Sequence, residues 1–201
     1  IEFAVTLNHD RDKTDIYLLQ VRPIVDSKDM LDEDLTTIPD EDVLLRSNNS
    51  LGHGIMNEIH DIVYVKTDHY SASNNQNIAW EIEKINQQFL NEGKNYVLVG
   101  PGRWGSSDTW VGYSGEVATY FCRACHCGGR YLLTIGDPSQ GTHFFQNLTS
   151  FGVGYFTINA FMNDGVYNQE FLNAQPAVFE TEYLRHVRFE RPIVVKMDAK
   201  R

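Results

Sequence analysis

The residues best suited to chemistry fall in three places. The first is Gly100–Asp108 (G-P-G-R-W-G-S-S-D), which follows the apolar run Tyr96–Val99. Glycines let backbone N–H groups approach an anion, and an arginine such as Arg103 can pair bidentately with phosphate or carboxylate. Gly100, Gly102, Arg103, Ser106 and Ser107 are therefore candidate anion ligands. The spacing is neither G-x-x-x-x-G-K-S/T nor G-x-G-x-x-G, so no nucleotide fingerprint is met, and a glycine-rich turn with a surface arginine fits as well. The second place is Gly141-Thr142-His143, just ahead of Phe144 and Phe145. A histidine opening a helix has oriented N–H groups and the helix dipole to steady a phosphate on its ring. A histidine packed beside two phenylalanines is the alternative. The third place holds every cysteine of the chain, Cys122, Cys125 and Cys127, with His126 among them. An odd, clustered count gives no disulfide framework. C-x-x-C-H-C looks like half of a zinc site, but four ligands are needed, these are crowded, and no second C-x-x-C exists. No zinc is expected there.

The elements that must position these groups can be read from pattern. Glu2–Leu7 alternates and Ile16–Val21 is strand-like, so residues 2–21 predict a β-hairpin closed by Arg22-Pro23. Residues 26–42 are acidic, contain Pro39 and read as a linker with a short helical turn near 30–35. Val43–Leu45 and Ile62–Val65 predict strands, with His53 between two glycines in the loop that separates them. Ile78, Ile82, Ile85 and Phe89 recur at helical spacing and predict a helix over 74–90, capped by Ser73 or Asn74 and stopped at Gly93. Trp80 is off that stripe and is placed at an edge, while Glu81, Glu83 and Lys84 read as a solvated face. Tyr96–Val99 predicts a buried strand, and Val153–Ile158 another after a short helix capped by Ser139. Residues 164–183 are mixed and broken by Pro176. Val187–Phe189 and Pro192–Lys196 give a last strand region. Strands and helices alternate from residue 43 onward, which predicts an α/β fold with a mixed β-sheet flanked by helices. Ligands of such sheets sit outside the carboxyl ends of the strands, where the Gly100–Asp108 run falls.

The totals narrow the function classes. At 201 residues the chain holds one sizeable core, or one domain with a piece of another. A net charge of -10 argues against non-specific nucleic-acid binding, which needs a basic face. No run reaches the roughly 18 apolar residues of a membrane span, and no signal-peptide pattern opens the chain, so a cytoplasmic location is expected. The first residue is Ile, inside a strand-like run, which reads as an excised fragment.

I-E-F-A-V followed by I-Y-L-L-Q-V-R-P-I resembles the end of the ATP-grasp nucleotide-binding domain of phosphoenolpyruvate synthases and pyruvate phosphate dikinases. The resemblance implies that Glu2 helps hold magnesium and ATP phosphates, that Gln20 sits beside it, and that Arg22 contacts phosphate. A carboxylate suits a hard cation, and a guanidinium suits phosphate. An exposed hairpin with solvated charges is the plainer reading. Weaker likeness over 43–67, 96–110 and 137–158 implies the swivelling phosphohistidine domain of the same family, whose histidine lies in G-G-x-T-S-H before a helix. On Gly141-Thr142-His143 the match is partial, because the glycine pair is missing and nothing separates Thr142 from His143. The implied division is 1–25 as the C-terminal hairpin of the nucleotide domain, 26–42 as linker and 43–201 as the phosphohistidine-like domain.

Residues 113–136 match nothing in that family. One codon choice for Tyr113–Gly128, shifted by one base, encodes I-P-V-K-W-P-H-I-S-A-A-R-V-I-V, which resembles what the family carries here. The stretch is expected to be out of frame, and this also accounts for the confinement of the cysteines to it.

Two functions follow from the sequence. One is a fragment of an ATP-dependent phosphotransferase that passes phosphate from ATP to a pyruvate-like acceptor through His143, with ATP and magnesium bound mainly by upstream domains of the same polypeptide. Alone, the fragment is expected to be inactive. The other is a non-catalytic anion-binding or docking module. The partners implied are those upstream domains and a small-molecule phosphate acceptor. Neither nucleic acid nor membrane is implied, and a homo-oligomer is allowed.

Overall fold

The computed structural model describes residues 2–7, 14–20, 34–51, 54–67, 71–101, 130–135, 148, 153–158 and 165–198. The protein is mixed α/β, and its main sheet carries both parallel and antiparallel pairs. The predicted hairpin is present as β1 (Glu2–Leu7) and β2 (Thr14–Gln20), paired with Phe3 opposite Leu18 and Val5 opposite Ile16. Phe3, Val5, Ile16 and Leu18 share one face of this ribbon and are exposed.

The main sheet contains β4 (Asn49–Leu51), β5 (Gly54–Val65), β6 (Tyr96–Pro101), β7 (Arg130–Ile135), β8 (Val153–Ile158), β10 (Ala177–Glu180) and β11 (Leu184–Met197) in the order β10-β11-β5-β6-β7-β8-β4. β5 to β8 are mutually parallel, and β11 and β4 run antiparallel to their neighbours. A second ribbon joins β3 (Leu45–Arg46) to β9 (Val166–Tyr167). The two predicted strand segments near the end form a single strand, β11, whose register to β5 shifts between Arg188 and Ile193. Pro192 falls in that shift, where a residue without an N–H breaks no ladder bond.

The helix α1 (Asn75–Glu92) crosses between the parallel strands β5 and β6, as a parallel pair requires. Its stripe of Ile78, Ile82, Ile85 and Phe89 is buried against Val63, Val65, Leu98, Tyr155 and Leu184. It ends as expected at Gly93, whose left-handed φ of 62° lets its N–H reach Leu90 O and brings Lys94 N–H to Phe89 O. Three expectations around α1 need correction. Asn74 occupies the N-cap without a side-chain cap bond, because a 3₁₀ turn at Ala72–Asn74 leads the chain in. Trp80 lies on the solvent face, 60% exposed, with Lys84 Nζ over its ring at 3.3 Å. Glu81 is half-buried and accepts from Thr181 Oγ1 at 2.6 Å, so it ties α1 to the β10–β11 turn.

Alternation along the strands sends Ile62, Tyr64, Val97, Val99, Phe156 and Val187 to the other face. The cover described there is thinner: short 3₁₀ turns at Leu35–Thr37 and Asp40–Asp42, the β3–β9 ribbon, and α2 (Gln169–Ala174), which buries Leu172. Of the expected 30–35 turn, only residues 34 and 35 are described, and the turn itself begins at Leu35. Pro176 separates α2 from β10.

Candidate functional site

The parallel strands create one carboxyl edge, and their register shows what meets there. Pro101 pairs with Ile135, and Ile135 pairs with Ile158. One step inside the edge, Gly100, Thr134 and Thr157 form the same row. Positions 102, 136 and 159 therefore follow directly from three neighbouring strand ends. The glycine-rich stretch and the stretch leading to His143 continue from β6 and β7, which are hydrogen-bonded to each other.

Gly100 itself belongs to β6, buried within the strand rather than in a loop. Glu2 and Gln20 are opposite each other in the β1–β2 register. Gly102, Arg103, Ser106, Ser107, His143 and Arg22 lie outside the described residues, as do His53, His126, Cys122, Cys125 and Cys127. Of the stretch expected to be out of frame, Arg130–Ile135 is described and forms β7, a central strand. Among the described residues no group of three or more His, Cys, Asp or Glu is placed to hold a metal ion.

One charged cluster was missed by sequence reasoning. Asp61 on β5 and His186 on β11 are each 3% exposed. The His186 Nε2–H donates to Asp61 Oδ1 at 2.6 Å. Arg188, directly opposite Asp61 in the ladder, donates through Nε to the same oxygen at 2.7 Å and through Nη2 to Oδ2 at 3.3 Å. Burial alone would raise the Asp61 carboxyl, but the hydrogen bonds from His186 and Arg188, with the guanidinium charge, hold it below the usual carboxylate range. His186 sits between the rings of Phe89 and Phe179, and its buried Nδ1 has no hydrogen-bond partner among the described residues. A carboxylate with a lowered pKa and three donors on it is a poor general base. The trio is a brace between β5 and β11 beneath the end of α1. The only local signals are an acid opening the run I-V-Y-V and the H-x-R alternation at 186–188, and neither reveals a partner 125 positions away.

A second charged group fixes α2. Arg185 donates to Glu180 Oε2 at 2.9 Å and to the carbonyls of Asn173 and Gln175, while Tyr64 OH donates to Asn173 Oδ1 at 2.8 Å. These contacts hold the end of α2 against β5 and β11. Compared with known proteins, the chain matches no family model, no curated protein and no solved structure.

Proposed function

We propose that this chain is part of an ATP-dependent phosphotransferase of the phosphoenolpyruvate synthase kind, in which His143 takes a phosphoryl group from ATP and hands it to a pyruvate-like acceptor. The observation that supports this reading is the pairing of Pro101 with Ile135, which brings the origins of the Arg103 and His143 stretches together at one carboxyl edge. On this reading residues 43–201 form a swivelling phosphohistidine-like domain, and Gly102, Arg103, Ser106 and Ser107 grip the phosphate or the acceptor's carboxylate. Glu2, Gln20 and Arg22 belong to the ATP and magnesium site, which upstream domains complete. The exposed apolar face of the hairpin agrees with this, since a two-stranded ribbon is marginal in water unless something packs on it. A covalent carrier splits one difficult transfer into two easier ones.

The test uses the full-length protein with labelled ATP. Acid-labile, base-stable label that disappears in His143→Ala is the expected result. If His143→Ala labels as well as wild type, the carrier assignment is wrong. A chain that never labels, yet loses phosphate binding on Arg103→Ala, is the anion-binding module instead.

A further inference from the structure

The sheet face opposite α1 holds a cavity of about 570 Å³. Its floor is aliphatic and aromatic: Ile62, Val97, Val99 and Phe156 from the sheet, with Ile193 and Val195 from β11. Volumes of 300–1,000 Å³ with an apolar lining and a few polar groups are the usual dimensions of small-molecule sites. The charged lining residues all keep some exposure to solvent. Asp34 and Asp42 are exposed, and Arg46, Lys196 and Asp198 are half-buried. Three carboxylates thus face two cations, and one of those cations, Arg46, is held at 2.7 Å by a fourth carboxylate, Asp40. Among the described residues the charged lining is therefore net acidic.

We propose that this cavity binds a small apolar amine, with the hydrocarbon body on the Val97–Phe156 floor and the ammonium at the acidic mouth. The charge balance disfavours the anionic counterpart: a fatty carboxylate of the same length would add a negative charge to a lining that already sets Asp34, Asp42 and Asp198 against Arg46 and Lys196. The site is separate from the carboxyl edge and does not depend on the phosphotransfer reading.

The experiment is calorimetric titration of the 201-residue chain with decylammonium, decanol and decanoate, each below its aggregation concentration. Decylammonium should bind most tightly and decanoate most weakly. Asp42→Asn should weaken decylammonium by roughly two- to fivefold, the range of an exposed ion pair, and leave decanol unchanged. Ile193→Phe, at a half-buried position, should fill the cavity and weaken both. Val97→Phe does the same from the floor and serves if Ile193→Phe fails to fold. Equal binding of decanoate and decylammonium overturns the charge assignment. Binding that survives a folded cavity-filling variant, or no binding of any probe, overturns the site.

Discussion

The two faces of the main sheet are built from the same strands yet are covered by opposite means. On one face an 18-residue helix lays a continuous aliphatic stripe on the strands, and Ile78, Ile82, Val63 and Leu98 are at most 1% exposed. On the other face the cover, among the described residues, is two short 3₁₀ turns, two-residue strands and a six-residue helix, and Leu44, Leu45, Ile193 and Val195 are only partly buried. A long amphipathic helix closes a sheet face because its residues at 3.6-residue spacing reach neighbouring strands in one layer. Short turns cannot do this, and a cavity lies on that face. The difference teaches that alternation in the strands makes both faces apolar, while the segments described over them bury one face more fully than the other.

That contrast can be broken by paired truncations. Ile82→Ala, under α1, should cost about 3–4 kcal/mol, because transfer and cavity terms add where nothing can relax. Ile193→Ala, beside an existing cavity, should cost about 1–2 kcal/mol, since the lost packing was already incomplete. Urea unfolding of both variants measures this, and equal losses would sink the distinction between the faces.

The next effect belongs to the brace on the α1 face. Asp61→Asn removes the charge that His186 and Arg188 share and should cost about 2–3 kcal/mol, below the usual range for a broken buried pair because Arg188 reaches solvent. The sign with pH follows from the lowered carboxyl. Its stabilisation is fully present above the unfolded-state value of about 3.9 and is lost as pH falls through the folded value. Unfolding curves from pH 7 down to pH 3 should therefore show wild type and Asp61→Asn converging in acid. A gap that stays constant with pH would mean that Asp61 contributes by shape alone.

Glycines give a smaller comparison between the same two faces. Gly165, at φ +97°, precedes β9 on the cavity side, and a Cβ there would stand 2.5 Å from Arg46 O. Gly165→Ala should cost about 2–3 kcal/mol through backbone strain and that clash. Gly93, at φ +62° with open space around it, should lose only about 1 kcal/mol on Gly93→Ala. Thermal unfolding of the two variants ranks them, and a larger loss at Gly93 would contradict the close approach of β3 and β9.

Much of the α1 face was legible in the sequence, since Ile78, Ile82, Ile85 and Phe89 report helix and buried side together, and Gly93 marks the stop. The cavity face was less so. Val97, Val99 and Phe156 announce an apolar face, but nothing in residues 34–48 says how closely they cover it. At the candidate site, the glycine-rich run and His143 stand out by residue type. That the strands preceding them, β6 and β7, are neighbours does not, because strand order is set by pairing between segments some 30 residues apart. Trp80 was misjudged because an aromatic off the stripe can pack or face water, and local spacing does not separate the two.

What the sequence determined by itself is periodic and local: the existence of the β1–β2 hairpin, the stripe and end of α1, and the apolar strands Tyr96–Val99 and Val153–Ile158. These follow from backbone geometry and side-chain alternation within one segment. Only the tertiary structure decided that β6 and β7 are parallel neighbours, that Asp61 meets His186 and Arg188, and that one face of the sheet keeps a cavity. Each of those depends on contacts between residues far apart in the chain, and their free energy exists only once the sheet has formed.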